Sequence, residues 1–294
     1  MKIGIYGQFY HEDSEIYIQH ILDALQSKNV EIVVEEAFLK SINKNKDISK
    51  NYSNISSFKE IDASYNFFLS IGGDGTLLKS VTYVKDLGIP IIGINTGRLG
   101  FLATIQKEEI TDSLYQILSG NYFISERSLL TISTDPKSDE LLPLNFALNE
   151  IAVNRKNTTS MIKVETLVND MHLTSYWSDG LIVSTPTGST GYSLSCGGPV
   201  IDPSTNSLVI TPIAPHNLNA RPLVVPDNCN ITLKVSGRGK SHLVSLDSRI
   251  ATLKNNTIIT IKKAPFHIKL VQLSEDSFIK TLRKKLLWGE DKRN

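Results

Sequence analysis

Apolar residues in the first 120 positions fall into short runs separated by stretches of helical spacing. Ile3-Gly-Ile-Tyr6 predicts a strand, and Ser14 to Ser27 carries Ile18, Ile21, Leu22 and Leu25 on one face of a predicted helix. Glu31-Ile-Val-Val34 predicts a second strand. Lys40 to Lys59, rich in Asn, Ser and Lys, predicts an exposed loop. Asn66-Phe-Phe-Leu-Ser-Ile71 predicts a third strand running straight into Gly72; Thr76 to Lys85 predicts a helix and Ile89-Pro-Ile-Ile-Gly-Ile94 a fourth strand, followed by the loop Asn95-Thr-Gly-Arg-Leu-Gly100. This alternation predicts an open parallel, Rossmann-like sheet with its site in loops at the carboxyl ends of strands.

The pattern changes after about Ile124. Short runs rich in β-branched residues follow at Leu130–Ser133, Ala147–Val153, Lys163–Val168, Leu181–Ser184 and Leu208–Pro212. They continue at Asn230–Val235, His242–Leu246, Thr257–Ile261 and His267–Leu273. So many short strands predict a β-sandwich-like domain. Near the end, Ser274 can cap a helix, with Glu275 and Asp276 in its first turn. Phe278, Ile279, Leu282 and Leu286 lie on one face, basic residues occupy much of the rest, and Gly289 fits the stop. The predicted organisation is an α/β domain over 1–124, a β-rich domain over 125–273, and a helix and tail over 274–294. A basic amphipathic helix can lie on a membrane, but packing on its own chain is the expectation.

Composition narrows the function classes. At 294 residues the chain can bury two cores. Lys and Arg total 31 against 30 Asp and Glu, a net charge of +1, which argues against a nucleic-acid binder relying on a basic surface. Cys196 and Cys229 show no metal or redox spacing, and the six His are scattered, so reduced thiols, no protein-bound metal and a cytoplasmic setting are expected. The start of the chain lacks the features of a signal peptide, and no apolar run approaches the roughly 18 residues that span a bilayer.

The chemistry concentrates in two Gly-rich stretches. Thr185-Pro-Thr-Gly-Ser-Thr-Gly-Tyr-Ser-Leu-Ser-Cys-Gly-Gly-Pro199 has four Gly and two Pro, a composition unsuited to a helix interior or an ordinary strand. Its hydroxyls and free N–H groups suit phosphates, ribose hydroxyls and a base edge. Gly72-Gly-Asp-Gly-Thr76 sits at a strand-to-helix turn, where Gly72, Gly73, Gly75 and Thr76 can present N–H groups to phosphate at a helix N-terminus. A carboxylate there, Asp74, repels phosphate unless it has work to do, such as taking a proton from an attacking hydroxyl or helping to hold magnesium. The bland reading of Asp74 is turn stabilisation. Asp179 before Gly180 is, by itself, better read as a plain turn, and Cys196 as a small packing residue.

Taken in order, Gly72–Thr76, Asn95-Thr-Gly-Arg-Leu-Gly-Phe-Leu102, Leu148-Asn-Glu150, Ser178-Asp-Gly180 and Thr185–Pro199 resemble the bacterial NAD kinases, from first strand to final helix. The Gly-Gly-Asp-Gly signature alone is shared with diacylglycerol and sphingosine kinases; the long loop and the Asn-Glu pair narrow the match. The resemblance implies transfer of the terminal phosphoryl group of ATP, or of another polyphosphate donor, to the 2′-hydroxyl of the adenosine ribose of NAD. It implies Asp74 as the catalytic carboxylate, with a divalent metal, Mg2+, arriving with ATP. Asp74 and Gly75 would together meet the dinucleotide, and Lys79 would lie near the phosphates. Asn149 and Glu150 would hold adenine and ribose groups, and Asp179 the other end of NAD. Thr190, Gly191, Tyr192, Ser193, Leu194 and Ser195 would line the site, as would Ala214 in Pro212-Ile-Ala-Pro-His216. Ser160, Trp177 and Arg249 depart from the residues common at those places and are weaker candidates. The resemblance also implies a homodimer or homotetramer and a final helix that returns to the first domain. Two other classes are a lipid kinase sharing the Gly72 turn, which leaves Thr185–Pro199 unexplained, and a non-catalytic dinucleotide sensor.

Overall fold

The computed structural model describes residues 1–9, 14–28, 30–142, 144–156, 159–273 and 278–287. The chain divides into two compact units, Met1–Glu126 with Ile268–Asn294, and Arg127–His267.

In the first unit the elements are β1 (Lys2–Gly7), α1 (Ser14–Gln26), β2 (Glu31–Glu35), α2 (Glu36–Lys44), β3 (Ser56–Phe58), β4 (Phe67–Gly72), α3 (Asp74–Val84), β5 (Ile91–Asn95), β6 (Ile105–Gln106) and α4 (Ile110–Leu118). The strands pair in parallel in the order β5-β4-β1-β2-β3, with β6 beside the end of β5. All residues of β4 and β5 are buried, as expected of central parallel strands covered on both faces. The strand order reverses between β1 and β4. A crevice outside the carboxyl ends of such a pair is where open α/β sheets bind ligands, and the turn after Gly72 lies there.

Two expectations change in this unit. Lys40–Lys59 is not an exposed loop. It begins inside α2, whose first turn is capped by the Glu35 carboxylate accepting from the Phe38 N–H at 2.8 Å, and it contains β3. Ile42, Ile48, Tyr52, Ile55 and Phe58 are buried at irregular spacing among polar neighbours, so the composition masked them. The helix α4 has no counterpart among the expected elements, although Ile110, Leu114 and Ile117 are buried at helical spacing.

In the second unit the strands are β7 (Phe123–Asp135), β8 (Phe146–Ala147), β9 (Glu150–Arg155), β10 (Ile162–Val168), β11 (Met171–Ser178) and β12 (Gly180–Ser184). After a one-turn helix α5 (Tyr192–Ser195) come β13 (Ser207–Ile213), β14 (Leu223–Pro226), β15 (Ile231–Ser236), β16 (Ser241–Leu246), β17 (Arg249–Lys254) and β18 (Ile258–Gln272). One antiparallel sheet runs β14-β13-β12-β9-β16-β17, and β11-β10-β15-β18 form another, with β7 against β18 and β8. Residues from both sheets share one buried apolar cluster, including Val153, Val164, Leu181, Ile210, Leu233 and Ile259, which is the core of a sandwich. The strands β11, β14 and β17 went unforeseen: β11 is largely exposed and mixed in sequence, β14 is a four-residue exposed strand, and β17 buries only Ala251 and Leu253. The two runs expected at 257–261 and 267–273 are one strand, β18, which passes through the exposed Pro265.

The last residues of β18 return to the first unit, where Leu270 pairs in parallel with Ile91. The final helix, α6 (Phe278–Leu286), also belongs there. Its expected apolar face is only half used: Leu282 is buried and Phe278 partly so, whereas Ile279 and Leu286 are exposed. The Ser274 cap with Glu275 and Asp276, and the Gly289 stop, lie outside the described residues.

Candidate active site

In the first unit the chain leaves β4 at Gly72 with φ +150, and a Cβ there would stand 2.3 Å from Thr76 Oγ1. Only glycine suits that turn. Gly73 and Gly75, by contrast, have nothing within 4 Å of where a Cβ would be, so their backbone is open to close approach. Helix α3 begins at Asp74 with Gly73 as its cap residue, and its first N–H groups precede any intrahelical acceptor. Lys79 is exposed one turn further along.

The Asp74 carboxylate is held by the loop after β5. Oδ2 accepts from the Phe101 N–H at 2.8 Å, and Oδ1 from Leu102 and Ala103 N–H groups at 3.0 Å each. The approach is so close that a Cβ on Gly100 would lie 1.9 Å from Oδ1. The loop is shaped from within by Asn95, whose Oδ1 accepts from Gly97 N and whose Nδ2 donates to the Arg98 carbonyl. The importance of Gly100 was not visible in the sequence beyond its place in a Gly-containing loop.

In the second unit Asn149 and Glu150 sit where β8 and β9 are interrupted, an irregularity that lets neighbouring residues serve one site. A residue that sequence reasoning missed creates it. Asp247 accepts from the N–H groups of Leu148 (3.0 Å), Asn149 (2.8 Å) and Glu150 (3.2 Å), and returns its own N–H to the Glu150 carbonyl at 3.0 Å. Asp247 adopts φ 52 in the turn between β16 and β17, and an Asp in a turn carries no signal of a partner about a hundred residues away. On the other side the Asn149 carbonyl accepts from Thr185 N at 2.9 Å, and Gly188 approaches it so closely that a Cβ would meet that oxygen at 2.1 Å.

Glu150 is buried and Asn149 half-buried, yet the buried atoms Asn149 Oδ1 and Glu150 Oε2 have no hydrogen-bond partner among the described residues. Buried polar atoms without partners are rare and call for an explanation; a ligand supplying donors is one. Burial, with Asp247 adding like charge, raises the Glu150 pKa to about 7 against the opposing N–H of Tyr192.

The Thr185–Pro199 stretch is not wholly irregular: Thr187–Thr190 forms a 3-10 turn and α5 follows. Thr190, Gly191, Leu194 and Ser195 lie at least partly exposed along it, and a Cβ on Gly191 would stand 3.0 Å from Glu150 Oε2. The Tyr192 ring is 40% exposed, and its hydroxyl titrates above the usual range through partial burial, with Cys196, Asp179 and Glu150 adding to the effect. Ser193 is fully buried and its hydroxyl bonds Thr211 Oγ1 at 2.8 Å, so its contribution is to the shape of the stretch. Burial pushes the Cys196 thiol up, away from the reactive thiolate.

Asp179 pairs with Arg155 at 3.1 Å, and its N–H donates to the Ile213 carbonyl. Ala214 follows with φ 43, a left-handed conformation unusual for alanine and typical of strained functional positions. Ser160 and Trp177 line one cavity of 570 Å³ with Met161 and Arg238. The Arg249 guanidinium donates to the Leu144 carbonyl at 2.6 Å and to that of Phe146. Among the described residues no group of three or more His, Cys, Asp or Glu side chains is arranged to hold a metal ion. No helix among them is long and apolar enough to cross a membrane.

These features favour phosphates and hydroxyls over apolar ligands, and they define a kinase of the class that uses a Gly-Gly-Asp-Gly turn. Comparison with known proteins identifies the branch. The ATP-NAD kinase N-terminal domain matches residues 3–122 and the ATP-NAD kinase C-terminal domain residues 148–273, and the chain belongs to the NAD kinase family. It is 64% identical over 294 residues to an NAD kinase of Christiangramia forsetii and 41% identical over 293 residues to one of Bacteroides fragilis, covering each in full. Among solved structures it is similar to an NAD kinase from Archaeoglobus fulgidus in complex with ATP, at TM-score 0.74 and 26% identity, with 97% of each chain covered. A yeast NADH kinase complexed with NADH shares the fold at TM-score 0.86 and 23% identity, over 99% of this chain and 88% of that one. The match runs through both halves, which the lipid-kinase reading does not accommodate.

Proposed function

We propose that this NAD kinase transfers the terminal phosphoryl group of ATP to the 2′-hydroxyl of the adenosine ribose of NAD, with Asp74 as general base. The observation that carries this reading is the fixed Asp74 carboxylate at the head of α3. A ribose hydroxyl is a poor nucleophile near neutral pH. A carboxylate that takes its proton as the new bond forms contributes roughly 100-fold or more. Oδ2 accepts one N–H and Oδ1 two, so Oδ2 retains acceptor capacity for the hydroxyl. The open backbone at Gly73 and Gly75 would receive donor phosphates, with Lys79 nearby. Asn149 Oδ1 and Glu150 Oε2 would take hydroxyl or amino groups of the adenosine, with Tyr192 against the base. Asp179 and Ala214 would engage the remainder of NAD.

Phosphoryl transfer asks for positioning and charge neutralisation more than covalent help from the protein. The donor set fits Mg2+ carried on the ATP phosphates, because the ion needs only one or two carboxylates beside phosphate and water. When bound it neutralises charge developing on the transferring group.

The reading is tested by Asp74→Asn. NAD binding by calorimetry should persist while turnover falls by roughly 100-fold or more. Turnover near that of the wild type would remove Asp74 from the chemistry. We also infer a cytoplasmic homodimer or homotetramer. Free cysteines and the exposed Met171, Leu173 and Trp177 on the outer strand β11 support it, and light scattering of the purified protein checks the assembly.

A further inference from the structure

The loop that grips Asp74 has a second face, and that face is covered by α6. The Phe101 backbone N–H donates to Asp74 Oδ2, while the Phe101 ring lies 6.2 Å from the Phe278 ring and beneath Lys285 Nζ at 5.2 Å. Lys285 Nζ also donates to the Leu99 carbonyl at 2.8 Å, and Lys284 Nζ to Gln106 Oε1 at 3.1 Å. Leu282, between them on the helix, is buried. Residues 99–101 are therefore bounded by the carboxylate on one side and by the final helix on the other.

We propose that Phe278 and Lys285 are positioning residues for phosphoryl transfer, setting the Asp74 carboxylate through Phe101. The proposal rests on the reading of Asp74 as general base. Its physical content is that a group donating a hydrogen bond to a base fixes where that base stands, and an error near 1 Å in such a group can cost about 100-fold in rate. One residue, Phe101, carries both the N–H that meets Asp74 and the ring that meets α6, so a shift of the ring is passed to the bond. Lys285 sits in the last turn, where a cation is also favoured by the helix dipole, so its place is supported from within the helix. Acceptor recognition, assigned to residues of the other unit, should be untouched.

The test is a kinetic double-mutant cycle on the full chain. Phe278→Ala should lower kcat by about tenfold and leave the KM for NAD within about twofold, since only part of the 100-fold expected of a displaced base is lost. Lys285→Met, an exposed substitution that keeps the fold, should give a smaller loss, and Lys285→Arg should restore the rate. In an Asp74→Asn background both losses should vanish, because there is no base left to misplace. Equal fold-losses in both backgrounds, or unchanged kcat in Phe278→Ala and Lys285→Met while Asp74→Asn is impaired, would overturn the coupling and leave the base reading intact. Near-normal turnover of Asp74→Asn itself would overturn both.

Discussion

Replacing Gly100 by alanine tests the site with one methyl group. A Cβ at that position would stand 1.9 Å from Asp74 Oδ1, 2.5 Å from Cγ and 2.8 Å from Oδ2. Real contacts of this kind begin near 3.0 Å, so something must move by about 3.0 − 1.9 = 1.1 Å. The atoms met belong to a carboxylate already fixed by three N–H groups, not to the free end of a flexible chain. Either Asp74 retreats or the 100–103 backbone does, and both routes break at least one of those bonds. Hydrogen bonds to a charged group contribute about 1.5–3 kcal/mol each, so a stability loss of that size is expected in thermal melts. A displacement of about 1 Å at the base predicts a fall in kcat of roughly 100-fold, with the KM for NAD little changed. Initial rates against NAD at saturating ATP, with melts on the same preparation, measure both. Gly73→Ala is the control for stability, since a Cβ there meets nothing within 4 Å, and it should melt as the wild type does. A Gly100→Ala enzyme with kcat within threefold of wild type would refute the argument that Asp74 must stand where it does.

Three further outcomes are expected. Asn149→Ala should lower kcat/KM for NAD by roughly tenfold to 100-fold while altering the KM for ATP much less, as befits one lost bond to a buried partner; equal effects on both substrates would indicate collapse of the site. Glu150, with a pKa raised to about 7 by burial and by Asp247, binds its proton more tightly in the folded state, so its contribution is full below about pH 4.5 and lost as pH rises through 7. The ligand-free wild type should therefore lose stability relative to Glu150→Gln between pH 5 and 8, by on the order of 3 kcal/mol, and parallel melting curves for the two proteins would contradict it. Ending the chain after Leu273 should lower the melting temperature, because Leu282 and Phe278 lose their packing; binding of anionic liposomes by the full chain but not by the truncation would favour the membrane reading of α6 instead.

The parallel sheet was legible because β1, β2, β4 and β5 are buried on both faces and read as continuous apolar runs. The sandwich strands were legible where one face is buried, as in β10 and β16. Edge strands such as β11 lack that contrast, and Lys40–Lys59 hid Tyr52 and Ile55 among polar residues. In the site, the glycine turns and the Asn149-Glu150 pair stand out by composition alone. Asp247 and Gly100 do not, because what they do depends on a partner distant in sequence. Asp247 works through backbone N–H groups about a hundred residues away, and every residue type but proline supplies such a group. Arg249 illustrates the converse: a long cation beside the site looked available for phosphate, and the Leu144 and Phe146 carbonyls occupy it.

The first unit is assembled from two separated stretches of chain, whereas the second is continuous from Arg127 to His267. During synthesis, at about 5–20 residues per second, the second unit has all its strands before the first has its β18 segment beside β5 or its helix beneath Phe101. Until then β6 covers only the Ile94–Asn95 end of β5, and the Ile91 end lacks its neighbour, the kind of surface that recruits foreign strands. A single cut cannot separate this protein into two folding pieces, since any one break leaves the first unit short of a strand and a helix. Separation would need cuts on both sides of the sandwich, or a permuted chain in which residues 268 onward are joined ahead of Met1.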